Sequence, residues 1–151
     1  MTLGDRIGVL LDRRLRQVAA PEELFRRPSD VDVAAFLGMR NVLPVESVRE
    51  KVCRICGEDI HVSSASGATE HIWIAPEEVI LSAQPFASSA RNQFACRVAD
   101  WAHRDSLLAV RVEAGRLQLV ALITHGSFEA LGIEPGRELY ATFKSSAVHC
   151  F

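Results

Sequence analysis

The chain has little that would draw a strongly charged or lipid partner. It holds 17 Lys and Arg against 19 Asp and Glu, a net charge of −2 over 151 residues. A balance this even gives no field of one sign to gather nucleic acid or an anionic membrane. Aromatic residues are 7% of the chain, with two Trp and one Tyr, and they do not alternate with basic side chains. Stacking on single-stranded nucleic acid wants more of both, so no nucleic-acid partner is expected. The first fourteen residues, MTLGDRIGVLLDRR, contain only the short apolar run IGVLL. That is too short for a secretion signal or a membrane span, so no direct membrane insertion is expected. Four cysteines without such a signal point to free thiols, a reducing compartment and a soluble cytoplasmic protein.

Catalytic signatures are missing as well. No GxxxxGK[ST], HExxH or GxSxG segment occurs anywhere. Paired carboxylates occur as Glu22-Glu23 and Glu77-Glu78, at helix or turn starts where they suit a dipole or solvent. The five histidines are scattered and read as surface or interface residues. The expectation is a protein that is not an enzyme and carries no cofactor.

What is present is ordinary globular material, 48% hydrophobic and 24% charged. A chain of this length can bury roughly two-thirds of its unfolded surface. Residues 1–40 read as a hairpin and two short helices. RIGVLLDRRLRQV gives two strands with a tight turn at Asp12-Arg13. Pro21, Glu22 and Glu23 open a first helix. Ser29 caps a second, which Gly38 ends. Leu24, Phe25, Val31, Ala34 and Leu37 are expected inside. Residues 41–85 form a β-rich accessory segment, with a hairpin turning at Gly57-Glu58 and an apolar run interrupted by Pro76.

Residues 86–151 carry a cleaner strand series. NQFACRVA, SLLAVRVE and RLQLVALIT alternate at period two, with DWAHRD and AGR read as connections. GSFEALG is a brief helix capped by Ser127 and ended by Gly132, and LYATFKSSAVHCF closes the chain with one or two strands. Lys144 falls mid-strand in this reading. The fold class is therefore mainly β, with a small OB-like barrel at the C-terminus.

CRICG, with Cys53 and Cys56, has zinc-knuckle spacing but lacks a second close pair, since Cys96 and Cys150 are far apart. A hairpin strand with small apolar thiols is the favoured reading, and zinc at Cys53 and Cys56 is the weaker alternative. A different set stands out. Ser89 and Arg91 lie in SSARN, Thr124 and Ser127 flank the start of the short helix, and Lys144, Ser145 and Ser146 lie in KSS. Together they supply a guanidinium, an ammonium and hydroxyls with no carboxylate among them. That is the donor shell a compact tetrahedral dianion needs.

The stretch SSARNQF…LVALITHGSFEALGIEPGRELYATFKSSAV resembles the Mop/TOBE domain of molybdate- and tungstate-binding proteins. The family pattern of SARN, ITxxS and LGLxxGxxVxAxFKAS is met by Ser89-Ala90-Arg91-Asn92, Ile123-Thr124 with Ser127, and Leu131-Gly132-Ile133 running to Phe143-Lys144-Ser145-Ser146. The resemblance implies an OB-like fold that holds molybdate or tungstate between two subunits. Its ligand positions would be Ser89, Arg91, Thr124, Ser127, Lys144 and Ser145 or Ser146. Residues 5–43 and HIWIAPEEVILS are similar to segments of importer ATPases, so most of the chain looks like the tail of a molybdate/tungstate ABC-transporter ATP-binding subunit without its nucleotide-binding core. The chain departs from the pattern at Arg13, Ala75, Cys96 and Ser145.

Two functions follow as expectations. One is non-catalytic cytosolic binding of molybdate or tungstate at an inter-subunit site of a homodimer or higher homo-oligomer, for storage or transporter-linked sensing. The other is an interaction module for ABC-transporter components, with a vestigial anion site.

Overall fold

The computed structural model describes residues 4–151, and residues 1–3 of the expected first unit lie outside the described residues. Strands β1 (Ile7–Leu11) and β2 (Arg14–Ala19) pair antiparallel around Asp12 and Arg13, whose φ values of 48° and 62° make the left-handed two-residue turn that a hairpin favours. Helix α1 (Pro21–Arg26) starts on its proline, with Glu22 and Glu23 at the positive end. Helix α2 (Val31–Phe36) is capped by Asp30, not Ser29. The Asp30 carboxylate accepts the amides of Asp32 and Val33 at 3.0 Å each. Ser29 is held elsewhere, its N–H donating to Gln17 at 2.8 Å. Gly38 ends the helix at φ 66°, as expected.

This unit has its own small core of Val9, Ala19, Leu24 and Val33. Of the residues expected inside, Leu24 and Ala34 are buried and Leu37 is half-buried, but Phe25 is 48% and Val31 38% exposed. Each helix is six residues long and presents only a narrow stripe to the hairpin. Phe25 follows Leu24 by about 100° of rotation and so turns away.

The middle stretch carries β3 (Val42–Pro44), β4 (Ser47–Arg49), β5 (Val52–Ile55), β6 (Glu58–His61), β7 (His71–Ile74) and β8 (Ile80–Ser82). The β5–β6 turn is Cys56-Gly57, one residue earlier than expected. Its φ values of 53° and 85° put glycine at the second central position. A 3₁₀ turn at Pro76–Glu78 separates β7 from β8.

The last part holds β9 (Asn92–Arg104), β10 (Leu107–Ala114), β11 (Leu117–Ile123), helix α3 (His125–Leu131), β12 (Glu138–Phe143) and β13 (Val148–Cys150). The sequence DWAHRD is not a connection. Strand β9 runs on through Arg104, with Trp101, Ala102 and His103 paired to Val110, Ala109 and Leu108. A bulge opposite Arg111 and Val112 bends the strand. Its first half therefore pairs with β12 and its second half with β10.

The principal sheet has the order β11-β10-β9-β12-β8 and curls into an OB-like half-barrel, so the fold class is mainly β as expected. Its fifth strand differs from the expected one. β8 comes from the middle stretch, while β13 leaves to pair with β7 in the sheet β13-β7-β3. One continuous core spans these sheets and includes Ile55, Ile72, Leu117, Leu119, Leu139 and Phe143, each at most 1% exposed.

Two asparagines join the parts through their side chains. The Asn92 amide donates to the carbonyl of His61 at 2.9 Å and accepts its N–H at 2.8 Å. Asn41 does the same to Val120, at 2.8 and 2.7 Å. Each side-chain amide stands in for one residue of a partner strand, which satisfies backbone groups on β6 and on the outer edge of β11.

Candidate functional site

The candidate donors are positioned by β9 and β12. Asn92 is paired with Phe143 at the end of that antiparallel ladder. Arg91 stands just before β9 and Lys144 just after β12, so the two cations flank this last pair along the chain. Lys144 is thus not mid-strand. β12 ends at Phe143, and Lys144 leads into a 3₁₀ turn, Ser145–Ala147, that Lys144 closes by accepting the Ala147 amide at 3.0 Å. The carbonyl of Ser145 accepts the Ser63 amide at 3.2 Å, which pins the turn against the chain after β6. Ser89, Arg91, Lys144 and Ser146 are exposed and Ser145 is half-buried.

Neither Arg91 nor Lys144 enters an ion pair among the described residues, whereas Arg16, Arg26, Arg54, Arg97 and Arg111 all do. Two neighbouring cations without a carboxylate repel each other. An anion placed between them relieves that repulsion and gains charge-assisted hydrogen bonds.

Thr124 and Ser127 are elsewhere. Thr124, not Ser127, caps α3, accepting the Ser127 amide at 3.2 Å, and its hydroxyl lies 3.1 Å from that of Ser127. Thr124 follows Ile123, which is level with Leu108 and through it with His103. Asn92 and His103 are eleven positions apart on β9, up to about 36 Å along an extended strand before the bulge bends it. The register therefore sets Arg91 and Lys144 beside the same end of the β9–β12 ladder, with their serines close in sequence, and leaves Thr124 and Ser127 as a second group toward the other end of β9.

That second group has neighbours the sequence reading passed over. The rings of His103 and His125 lie 5.5 Å apart, and Trp101 packs edge-on against both His103 and Phe128. His125 stands inside the T-x-x-S spacing, which was the available signal. His103 had none, because its place depends on β9 continuing past Asp100.

The Cys53 and Cys56 pair does not form a knuckle. Cys53 is fully buried, while Cys56 sits in the left-handed turn. Among the described residues, no group of three or more His, Cys, Asp or Glu is arranged to hold a metal ion. Cys96, where the family pattern has glycine, is buried, and burial pushes its thiol up to about 11.

A groove of about 1140 Å³ runs between α1, the Pro76–Glu78 turn and the outer face of β9 to β11. Of the candidate donors it includes only Ser146. Two of its arginines, Arg26 and Arg111, are already paired with Glu22 and Asp100. It is far too wide for a four-oxygen anion and does not coincide with the ladder end beside Arg91 and Lys144.

Residues 88–150 match the TOBE domain. Over its whole length the chain is similar to the molybdate/tungstate import ATP-binding protein WtpC of Pyrococcus abyssi, with 38% identity, and to that of Pyrococcus horikoshii, with 34%. It spans only 44% of the length of each of these relatives. Among solved structures, it is similar to the cytoplasmic molybdate-binding protein ModG with molybdate bound, at a TM-score of 0.62 and 19% identity over 74% of this chain and 95% of that one. At that identity the likeness speaks for the fold.

Proposed function

From the premise that residues 88–150 form a TOBE domain in a chain similar to molybdate/tungstate import ATP-binding proteins, we propose that this protein binds molybdate or tungstate without catalysis. The observation that supports the proposal is the pairing of Asn92 with Phe143, next to which the cations Arg91 and Lys144 follow in sequence, neither in an ion pair among the described residues. Ser89, Ser145 and Ser146 supply hydroxyl or amide donors around them. A tetrahedral dianion there needs no metal and no bond made or broken.

The second donor group, Thr124 and Ser127, lies toward the other end of β9 from Arg91 and Lys144. We therefore place the complete site between two copies of the chain, Arg91 and Lys144 coming from one and Thr124 and Ser127 from the other. A ligand held that way favours the assembled state over the free chains. Storage, or sensing beside an importer in the cytoplasm, are the roles such coupling serves.

Calorimetry with molybdate, tungstate and sulfate tests the reading. The larger oxyanions should bind, and Arg91→Ala or Lys144→Ala should weaken that binding by about tenfold or more. Selection against sulfate is geometric, since charge and shape are shared and only radius differs. Complementation tests the inter-subunit placement: Arg91→Ala and Thr124→Val each weaken binding alone, and mixing them restores part of it. No recovery from a mixed dimer would put the site within one chain.

A second reading rests on a separate observation, the exposed apolar face of the N-terminal unit, and is an interaction module for transporter components. A folded protein that gives no heat with any oxyanion would favour it.

A further inference from the structure

The end of β6 is tied to both strands of the ladder end that adjoins Arg91 and Lys144. The His61 N–H donates to the Asn92 side chain at 2.8 Å, and the His61 carbonyl accepts from it at 2.9 Å. Two residues on, the Ser63 N–H donates to the Ser145 carbonyl at 3.2 Å. Asn92 follows Arg91 and Ser145 follows Lys144, so one short segment is held to the chain neighbour of each cation. Ile60 and Val62 are buried, at 0% and 2% exposure, while His61 is half-buried and Ser63 and Ser64 are exposed. Alternation along an extended strand gives that pattern.

The side chains of this segment are uncommitted. Among the described residues, neither the His61 ring nor the hydroxyls of Ser63 and Ser64 make a hydrogen bond. Ser66 and Thr69, a few residues on, are used differently. The Ser66 hydroxyl accepts the Ala68 amide at 3.3 Å, and the Thr69 hydroxyl accepts the Ser66 amide at 3.1 Å. No carboxylate occurs from Ile60 to Thr69, and Asp59 before them is paired with Arg54 at 2.7 Å. The segment thus matches the Arg91 and Lys144 group in kind, with donor groups and no carboxylate to repel an anion.

We propose that His61, Ser63 and Ser64 are further ligands of the oxyanion, a wall that the middle stretch of the chain contributes beside Arg91 and Lys144. The inference rests on the oxyanion reading above. It gives residues 41–85 a share in the site, where the sequence motifs lie wholly in the last part of the chain. The ties through Asn92 and Ser145 use backbone groups of the segment, which leaves an imidazole and two hydroxyls available to a bound oxygen. Serine hydroxyls add donors there without adding charge to the two cations.

Calorimetry with molybdate on the whole chain is the test, run beside Arg91→Ala, with circular dichroism to establish that each variant is folded. Ser63→Ala combined with Ser64→Ala should weaken binding about tenfold, and so should His61→Ala, whereas His61→Gln keeps a donor and should recover part of the loss. Ser66→Ala should leave affinity unaltered, since that hydroxyl serves its own turn. In nuclear magnetic resonance the His61 ring signals should shift on adding molybdate, and those of His149, which lines the wide groove, should not. Unaltered affinity in the His61 and serine variants, with Arg91→Ala still weakening binding, would overturn this inference and leave the oxyanion reading standing. Weaker binding with no shift of the His61 ring would make the segment a brace and overturn it as well. No heat from the folded, unsubstituted chain with molybdate or tungstate would overturn both.

Discussion

The N-terminal unit and the half-barrel solve the same burial problem with very different resources. The half-barrel shares a core of 21 buried residues with the middle sheets, and β10 alternates buried and half-buried positions along its whole length. The N-terminal unit closes on four buried residues. It also carries Leu10, Leu15, Val18, Phe25, Val31 and Phe36, six of the nine exposed large hydrophobics among the described residues. Gly8, Leu10, Leu15 and Val18 lie together on the outer face of the hairpin, since Gly8 is level with Val18 and Leu10 with Leu15. A unit with so small a core and so large an apolar face has surface to spare for a partner. The half-barrel satisfies itself and can give its edges to a ligand.

Core substitutions should separate the two units most sharply. Phe143→Ala, at a 1% exposed position, should cost about 3–5 kcal/mol and lower the main unfolding transition in urea. Leu24→Ala, equally buried, should instead speed amide exchange in β1 and β2 and leave β9 to β12 protected. A shared loss of protection would mean that the two cores unfold as one.

Next in size is the ligand effect. Arg91→Ala should weaken molybdate binding about 10- to 100-fold, the worth of one charge-assisted hydrogen bond and its charge. The same change in the paired Arg97, which holds Glu138 at 2.9 Å on the exposed surface, should leave affinity unaltered. Calorimetry on the two variants decides whether freedom from a carboxylate partner marks the site.

Asn92→Ala should cost about 1–3 kcal/mol by leaving the His61 N–H and carbonyl unsatisfied. It also tests the site, because Asn92 anchors the start of the strand that Arg91 leads into. Chemical denaturation gives the stability, and binding should fall with it if the ladder step matters.

A smaller effect is expected with pH. Burial, and then the charges of Arg27 and Arg26, hold the His149 ring below its usual 6.5. The folded state resists protonation while the unfolded state accepts it. His149 therefore contributes stability that is present above pH 6.5 and is lost as pH falls below that value. A urea midpoint that declines on acidification, less steeply in His149→Gln, is the expected record. Smallest of all, Leu10→Ser with Leu15→Ser should change stability by about 0.5 kcal/mol or less and reduce self-association in sedimentation if the outer face of the hairpin is in use.

Much of the local structure was legible because its causes are local. Asp12-Arg13, Pro21, Gly38 and Gly132 each act through their own backbone or a neighbour within one turn, and each falls where the pattern puts it. The errors are local contests between adjacent residues. Asp30 displaced Ser29 because Gln17, across the chain, holds the Ser29 amide. Thr124 displaced Ser127 because a cap accepts from the amide three residues on. Cys56-Gly57 displaced Gly57-Glu58 because the turn needs glycine second. The β9 extension was not legible, since DWAHRD is polar enough for a loop and only its pairing with β10 holds it extended.

The candidate site divides along the same line. The residue types and their order along the chain, SARN, then T-x-x-S, then KSS, are properties of the sequence, as is the absence of a carboxylate among them. Which donors stand together is not. Arg91 and Lys144 adjoin the same end of a ladder because Asn92 pairs with Phe143, and Thr124 is carried away because β9 is long and bent. Periodicity and turn chemistry are written within a few residues, but strand register is set by a core drawn from the whole chain, and only the assembled structure fixes it.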